Sequence, residues 1–182
     1  MEIVLIRHTP TAAQPGTCYG HLDLPLAPGF ANDIAATLVT VARTDAVFSS
    51  PSQRCAVLAA ALAKRDASPV TLAPALRELN FGAWEGLPWA EVPRTFSDPW
   101  AQDPWNRAPP GGETEQALWH RVEAWRQQAL AAQTGRIAIV AHAGSLRALR
   151  GLLLGLTPQI GWSWRIDYGA AHVITPDLAP GS

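Results

Sequence analysis

Apolar positions along the chain follow two periods. Ile3–Ile6 is a short, β-branched, uninterrupted run. Such a run predicts a strand buried on both faces of a parallel sheet. Ala46–Phe48, Val70–Leu72 and Ile137–Ala141 are further strand signals. Between these strands the period becomes helical. Ile34, Leu38 and Val41 share one face of an Ala-rich stretch over about 31–42. Ser50-Pro51 reads as an N-cap with proline at N1, opening a helix to about Lys64. From Glu113 to about Ala132, Leu118, Val122, Trp125 and Ala129 recur at i, i+4, i+7 and i+11. After Gly144, Leu146, Leu149, Leu152, Leu153 and Leu156 mark another core-facing helix.

This order predicts an α/β fold, a three-layer α/β/α sandwich with a mostly parallel central sheet. Near the end, Ser163–Asp167 and His172–Thr175 flank Gly169-Ala170. Either a terminal hairpin or one strand with a ragged end fits. Residues 84–112 differ in character. Trp84, Trp89, Trp100 and Trp105 stand among Pro88, Pro93, Pro99, Pro104, Pro109 and Pro110. So many prolines exclude one continuous helix. The segment is expected to be an excursion over the ligand-binding edge of the sheet. Most of its tryptophans should anchor it, with one or two facing a ligand.

Composition narrows the function classes. The 182 residues are expected to form one domain over 1–182, large enough to bury roughly 70% of the extended-chain surface. Charged residues are 16% of the chain and the formal net charge is −1. No global basic field points to nucleic acid. Two cysteines, Cys18 and Cys55, make no disulfide framework, so a reducing, cytoplasmic location is expected. The first residues lack a basic start before a cleavable apolar stretch. No apolar run approaches the ~20 residues of a membrane span. Cys18-x-x-His21 has ligand-like spacing but no second pair, so no metal site is expected.

Chemistry gathers at the strand ends. Ligands of open α/β sheets bind beyond the carboxyl ends of the strands. Ile3–Ile6 leads to Arg7-His8-Thr9-Pro10-Thr11, and Ala46–Phe48 to Ser49-Ser50-Pro51-Ser52-Gln53-Arg54. Val70–Leu72 leads to Leu76-Arg77-Glu78, and Ile137–Ala141 to His142-Ala143-Gly144. If the strands are parallel neighbours, Arg7, His8, Arg54, Glu78 and His142 converge. Arginines offer fixed forks for phosphate, and imidazole is a nucleophile or acid/base group near neutral pH.

These segments resemble the histidine phosphatase superfamily, the phosphoglycerate-mutase-like fold. The resemblance rests on Leu5-Ile6-Arg7-His8-Thr9-Pro10-Thr11, Ser49-Ser50-Pro51 with Arg54, Glu78-Leu79-Asn80-Phe81-Gly82-Ala83-Trp84-Glu85-Gly86, Gly111-Gly112-Glu113-Thr114 and Val140-Ala141-His142-Ala143-Gly144. They stand in the family's order from residue 3 to about 150. The resemblance implies that His8 becomes phosphohistidine. Arg7, Arg54 and His142 would hold the phosphoryl oxygens, and Glu78 would give the leaving group its proton. Gln14, Tyr19, Gly20 and Ala143 would contact the substrate. No cofactor is implied.

Physical chemistry agrees with those roles. Phosphoryl transfer is accelerated mainly by positioning and charge stabilisation. His8 must be neutral to attack, and two neighbouring guanidiniums lower its pKa. Binding alone would need the arginines but neither a nucleophile nor an acid, which disfavours a non-catalytic binding module. Two positions depart from the family's pattern. Thr9 replaces the usual Gly after the histidine, placing a side chain beside the phosphate pocket, and Gln14 replaces the usual Asn.

Cys18-Tyr19-Gly20-His21-Leu22-Asp23-Leu24-Pro25-Leu26 is similar to the α-ribazole phosphatase branch, which removes the 5′-phosphate of α-ribazole 5′-phosphate in cobalamin synthesis. Phosphoglycerate mutases of this fold are longer. Residues 84–112 hold only Arg94 and Arg107 as basic residues, and Trp and Pro suit an aromatic base better than a second phosphate. The expected partner is therefore a nucleotide-like small-molecule phosphomonoester. A broad-specificity phosphatase and a mutase-like enzyme are the alternatives. The oligomeric state stays open, a homodimer being one option.

Overall fold

In a computed structural model, which describes residues 1–176, a five-stranded sheet runs through the centre in the order β3-β2-β4-β1-β5. The strands are β1 (Glu2–Arg7), β2 (Ala46–Ser49), β3 (Val70–Leu72), β4 (Arg136–Ala141) and β5 (Ala171–Ile174). β1–β4, β4–β2 and β2–β3 pair in parallel, and β5 alone is antiparallel, against β1. Of the domain expected over 1–182, residues 177–182 lie outside the described ones.

Alternation along the inner strands builds two cores. Ile3, Leu5, Phe48, Ile137 and Ile139 face Leu118, Trp119, Val122, Leu146 and Leu149. These come from α4 (Glu115–Ala129) and α5 (Ala143–Leu154). Val4, Ile6, Val47, Ala138 and Val140 face Ile34, Cys55, Leu58 and Leu62. These come from α1 (Phe30–Thr40) and α2 (Gln53–Asp66). Successive side chains of a strand point to opposite faces, so one apolar run binds helices on both sides. This is the expected α/β/α sandwich.

Two expected helix starts shift, and one of the two readings of the C-terminal segment is settled. The helix expected from Ser50-Pro51 opens at Gln53, with Ser52 as N-cap. Ser50 instead prolongs the sheet, its N–H donating to Val140 O at 2.9 Å. The carboxylate of Asp23 accepts the Gln53 N–H (2.9 and 3.0 Å), a cap supplied from thirty residues away. α4 begins at Glu115 rather than Glu113, because Thr114 caps it by accepting the Ala117 N–H (3.0 Å). No strand forms over Ser163–Asp167. The chain passes through the short helix α6 (Pro158–Trp162), and β5 pairs with β1 instead of with a hairpin partner. Residues 84–112 hold short 3₁₀ turns and one nine-residue helix, α3 (Arg94–Gln102).

Candidate active site

Sheet register brings the polar strand ends together. Arg7 lies opposite Ala141, and Ser49 opposite Val140. The next residues are therefore His8, Ser50 and His142, leaving the sheet side by side. The His8 N–H donates to Ala141 O at 3.0 Å. The His8 and His142 rings meet edge to face, centroids 5.1 Å apart, and both are buried.

The His8 Nδ1 is 2.7 Å from Thr9 O. A carbonyl only accepts, so Nδ1 carries the proton and Nε2 keeps its lone pair. Burial, reinforced by the charges of Arg54 and Arg7, pulls the pKa of His8 down to about 3 against the opposing Thr9 hydrogen bond. The side chain of Thr9 is buried and lines no part of the cavity described below. The substitution of Gly by Thr thus keeps the backbone acceptor and leaves the phosphate side clear, contrary to the expectation of a side chain beside that pocket.

Arg54, in the first turn of α2, is fully buried. A buried guanidinium requires acceptors, and a neighbouring loop provides them. Nη2 donates to Gly20 O (2.5 Å) and Nη1 to Leu22 O (2.9 Å). Asp23 stands 3.5 Å away. A Cβ at Gly20 would strike Leu79 O, so glycine is what lets this loop reach the arginine. Arg54 Nε donates to His142 Nδ1 at 3.3 Å. That places the His142 proton on Nε2, which donates to Ser50 Oγ (2.9 Å). Burial, first, and the charges around it hold the pKa of His142 well below the usual histidine value.

Glu78 reaches the same point from the opposite side. Its Oε2 accepts the Gly144 N–H at 3.1 Å, and its Oε1 the Leu79 N–H at 2.9 Å. Gly144 lies in the first turn of α5, where the helix dipole favours a carboxylate. Any side chain there would displace Glu78. The backbone behind Glu78 is clamped by Arg121, which donates to Glu78 O (2.9 Å) and Arg77 O (2.9 Å). Glu113 holds Arg121 (2.6 Å) and accepts the Asn80 N–H (3.0 Å). Glu85 accepts backbone N–H groups from Phe81, His21 and Leu22, joining the Glu78 segment to the loop that seats Arg54.

A cavity of ≈ 190 Å³ opens over these groups. Arg7, His8, Arg54, Glu78 and His142 all line it, as does Tyr19. Thr17, Phe81, Trp89 and Tyr168 complete the wall. Of the tryptophans in 84–112, Trp89 alone faces this cavity, while Trp84 is buried beside Cys18 and Val92. Three expected substrate contacts lie outside the wall. Gln14 is exposed, Gly20 works through its carbonyl on Arg54, and Ala143 packs half-buried on the core. Sequence reasoning missed Thr17 and Tyr168, which carry no local signal, and the roles of Ser50, Arg121 and Glu85. Phe81 and Trp89 lay within segments already singled out.

No helix among the described residues is long and apolar enough to cross a membrane. The sequence aligns with the adenosylcobalamin/alpha-ribazole phosphatase of Escherichia coli (strain K12). It is 30% identical over 182 residues, covering 96% of this chain and 89% of that protein. It is also 32% identical to the glucosyl-3-phosphoglycerate phosphatase of Mycolicibacterium vanbaalenii, covering 88% of this chain and 77% of that one. The crystal structure of the alpha-ribazole phosphatase from Shigella flexneri superposes with a TM-score of 0.86 at 28% identity, covering 96% of this chain and 90% of that one. Residues 3–179 match the histidine phosphatase superfamily, branch 1. With that match over nearly its whole length, and with histidines at two adjacent strand ends, the chain belongs to the histidine phosphatase superfamily.

Proposed function

We propose that this phosphatase hydrolyses a small phosphomonoester through a phosphohistidine on His8, and that its substrate is α-ribazole 5′-phosphate, as in cobalamin synthesis. The observation that carries the reaction is the 2.7 Å approach of His8 Nδ1 to Thr9 O. The Nδ1 proton is fixed on Thr9 O, so Nε2 offers its lone pair to phosphorus. Arg7 and Arg54 line the same cavity and balance the charge of the equatorial oxygens. His142 orients the nucleophile's neighbourhood through Arg54 and Ser50.

Nε2 attacks phosphorus as the bond to the ester oxygen breaks. Glu78 in its acid form gives that oxygen its proton. The resulting carboxylate then takes a proton from water. The water oxygen bonds to phosphorus, the P–N bond breaks, and His8 returns neutral with inorganic phosphate released.

The far wall supports the choice of substrate. Beyond Arg7 and Arg54, no cation lines the cavity among the described residues, whereas Phe81, Trp89 and the two tyrosines offer apolar faces. A carboxylate next to the phosphate, as in glucosyl-3-phosphoglycerate, would find no second basic partner. A flat neutral base finds a stacking surface. Turnover of α-ribazole 5′-phosphate, sugar phosphates, glucosyl-3-phosphoglycerate and 3-phosphoglycerate, compared as kcat/KM, tests this. α-Ribazole 5′-phosphate should lead by at least tenfold, and preference for a phosphoglycerate would overturn the assignment. Rapid quench with labelled substrate should trap acid-labile phosphate on wild type and none on His8→Ala.

A further inference from the structure

Tyr168 has no part in the chemistry above, yet it touches the groups that perform it. Its ring centroid lies 3.7 Å from Arg7 Cζ and 5.3 Å from the His8 ring. Its hydroxyl is 2.9 Å from that of Tyr19, whose ring lies 5.3 Å from Arg54 Cζ. The turn carrying Tyr168 is pinned to the nucleophile's own backbone. The Gly169 N–H is shared between Arg7 O (3.1 Å) and His8 O (3.2 Å), and the Arg7 N–H donates to Ala170 O (3.1 Å). Gly169 takes φ +68°, a conformation that favours glycine and turns the chain so that its neighbour lies over the cavity. Tyr168 therefore keeps a fixed place relative to His8.

Arg7 needs such a support. Its Nη1 donates to Ile166 O at 2.8 Å, and its Nε finds no partner among the described residues. A guanidinium held by a single hydrogen bond can rotate about it. An aromatic face against the guanidinium fixes the plane of the fork. That plane decides whether two N–H groups meet a phosphate together or only one does.

We infer that Tyr168 is a positioning residue for phosphate capture: its ring sets the plane of the Arg7 guanidinium, while the bond from its hydroxyl to Tyr19, between the loop after β1 and the turn before β5, is dispensable for that capture. The inference rests on Arg7 and His8 receiving the phosphate as proposed above. Burial raises the phenol pKa of Tyr168 to about 12, so the hydroxyl keeps its proton for that bond at neutral pH.

The ring and the hydroxyl can be separated. Competitive inhibition of 4-nitrophenyl phosphate hydrolysis by inorganic phosphate measures phosphate capture directly. Tyr168→Leu should raise the inhibition constant about 3- to 30-fold, the span of a partly desolvated cation–π contact. Tyr168→Phe should stay within about twofold of wild type. In an Arg7→Ala background, Tyr168→Leu should add no further loss, because the residue acts through Arg7. A general packing defect would lower the melting temperature and persist in that background. An inhibition constant unchanged in Tyr168→Leu would overturn the inference, as would a Phe variant as weak as the Leu variant. Absence of competitive inhibition in wild type would overturn the phosphatase reading of Arg7 and His8 itself, and the inference with it.

Discussion

The two ends of the cavity are built by different means. At the phosphate end, His8 and His142 stand one residue beyond adjacent parallel strands, and Arg54 lies in the first turn of the helix that follows a third. Their positions follow from sheet register, and all three are buried. At the leaving-group end, Phe81 and Trp89 come from a loop and a short turn, and Trp89 is more than a third exposed, while Tyr19 and Tyr168 stand between the two ends against Arg54 and Arg7. On the proposed function, rigid elements place the reacting groups, and loops surround the leaving group.

Loss of the nucleophile at the phosphate end should abolish reaction for every substrate alike. The largest effect is expected for His8→Gln, a kcat lower by on the order of 10⁴-fold or more, as when a covalent nucleophile is removed. The loss should be equal for α-ribazole 5′-phosphate and 4-nitrophenyl phosphate. Unequal losses would show that the two ends are not independent. Glu78→Gln should follow, with a loss of about 10²–10⁴-fold on alkyl phosphates. It should lose far less on 4-nitrophenyl phosphate, whose leaving group departs without a proton. Equal losses on both would remove Glu78 from the role of acid and leave it a structural link to Gly144.

Legibility in the sequence follows the same division. Ile3–Ile6 and Ile137–Ala141 announce buried strands through local pattern, and the residues directly after them are fixed by register once the strands are neighbours. Hence Arg7, His8 and His142 could be read without a structure. Glu78 was read among the residues that follow Val70–Leu72, but its role as acid came only through resemblance, because a 3₁₀ turn and a clamp by Arg121 hold it, and neither has a periodic signature. The N-cap of α2 was misplaced for a related reason. Asp23 caps it from another loop, while the local candidate, Ser50, is drawn off to extend the sheet and bond His142. Tyr168 was invisible because its meaning depends on β5 crossing to pair with β1. Thr9 attracted attention as a departure, yet only its carbonyl oxygen meets His8.

Burial of neutral imidazole at the phosphate end has a consequence for stability. His8 has a folded pKa near 3, and His142 lies well below its usual value. The unfolded chain takes up protons at both residues near pH 6.5, whereas the folded chain does not. Stability is therefore complete above about pH 6.5 and is lost as pH falls below it. By pH 5 His8 should have withdrawn about 2 kcal/mol from the unfolding free energy, with His142 acting in the same direction. Urea unfolding of wild type and His8→Gln at pH 7 and pH 5 measures the share of His8. The difference between the two pH values should shrink in the variant, and an unchanged difference would mean that His8 is protonated in the folded protein. No residue of the leaving-group end should alter this slope.

The smallest effect, and the one most specific to the leaving-group end, is expected at Trp89. Its ring lies 5.4 Å from that of Phe81 in an edge-to-face contact and stacks on Trp100 with centroids 5.8 Å apart. The indole is thus held from two sides while 37% of the residue stays exposed. A base stacked on it would gain about 1 kcal/mol beyond apolar burial. Trp89→Ala should therefore raise KM for α-ribazole 5′-phosphate about 5- to 10-fold, with kcat nearly unchanged. For a substrate with a small leaving group, such as a short alkyl phosphate, both constants should hold. The inhibition constant of inorganic phosphate should also hold, since Trp89 adjoins neither guanidinium's hydrogen bonds. If KM rises equally for the short ester and for the nucleoside, the indole shapes the cavity as a whole. The separation into a phosphate end and a leaving-group end would then fail at the residue where it is most exposed.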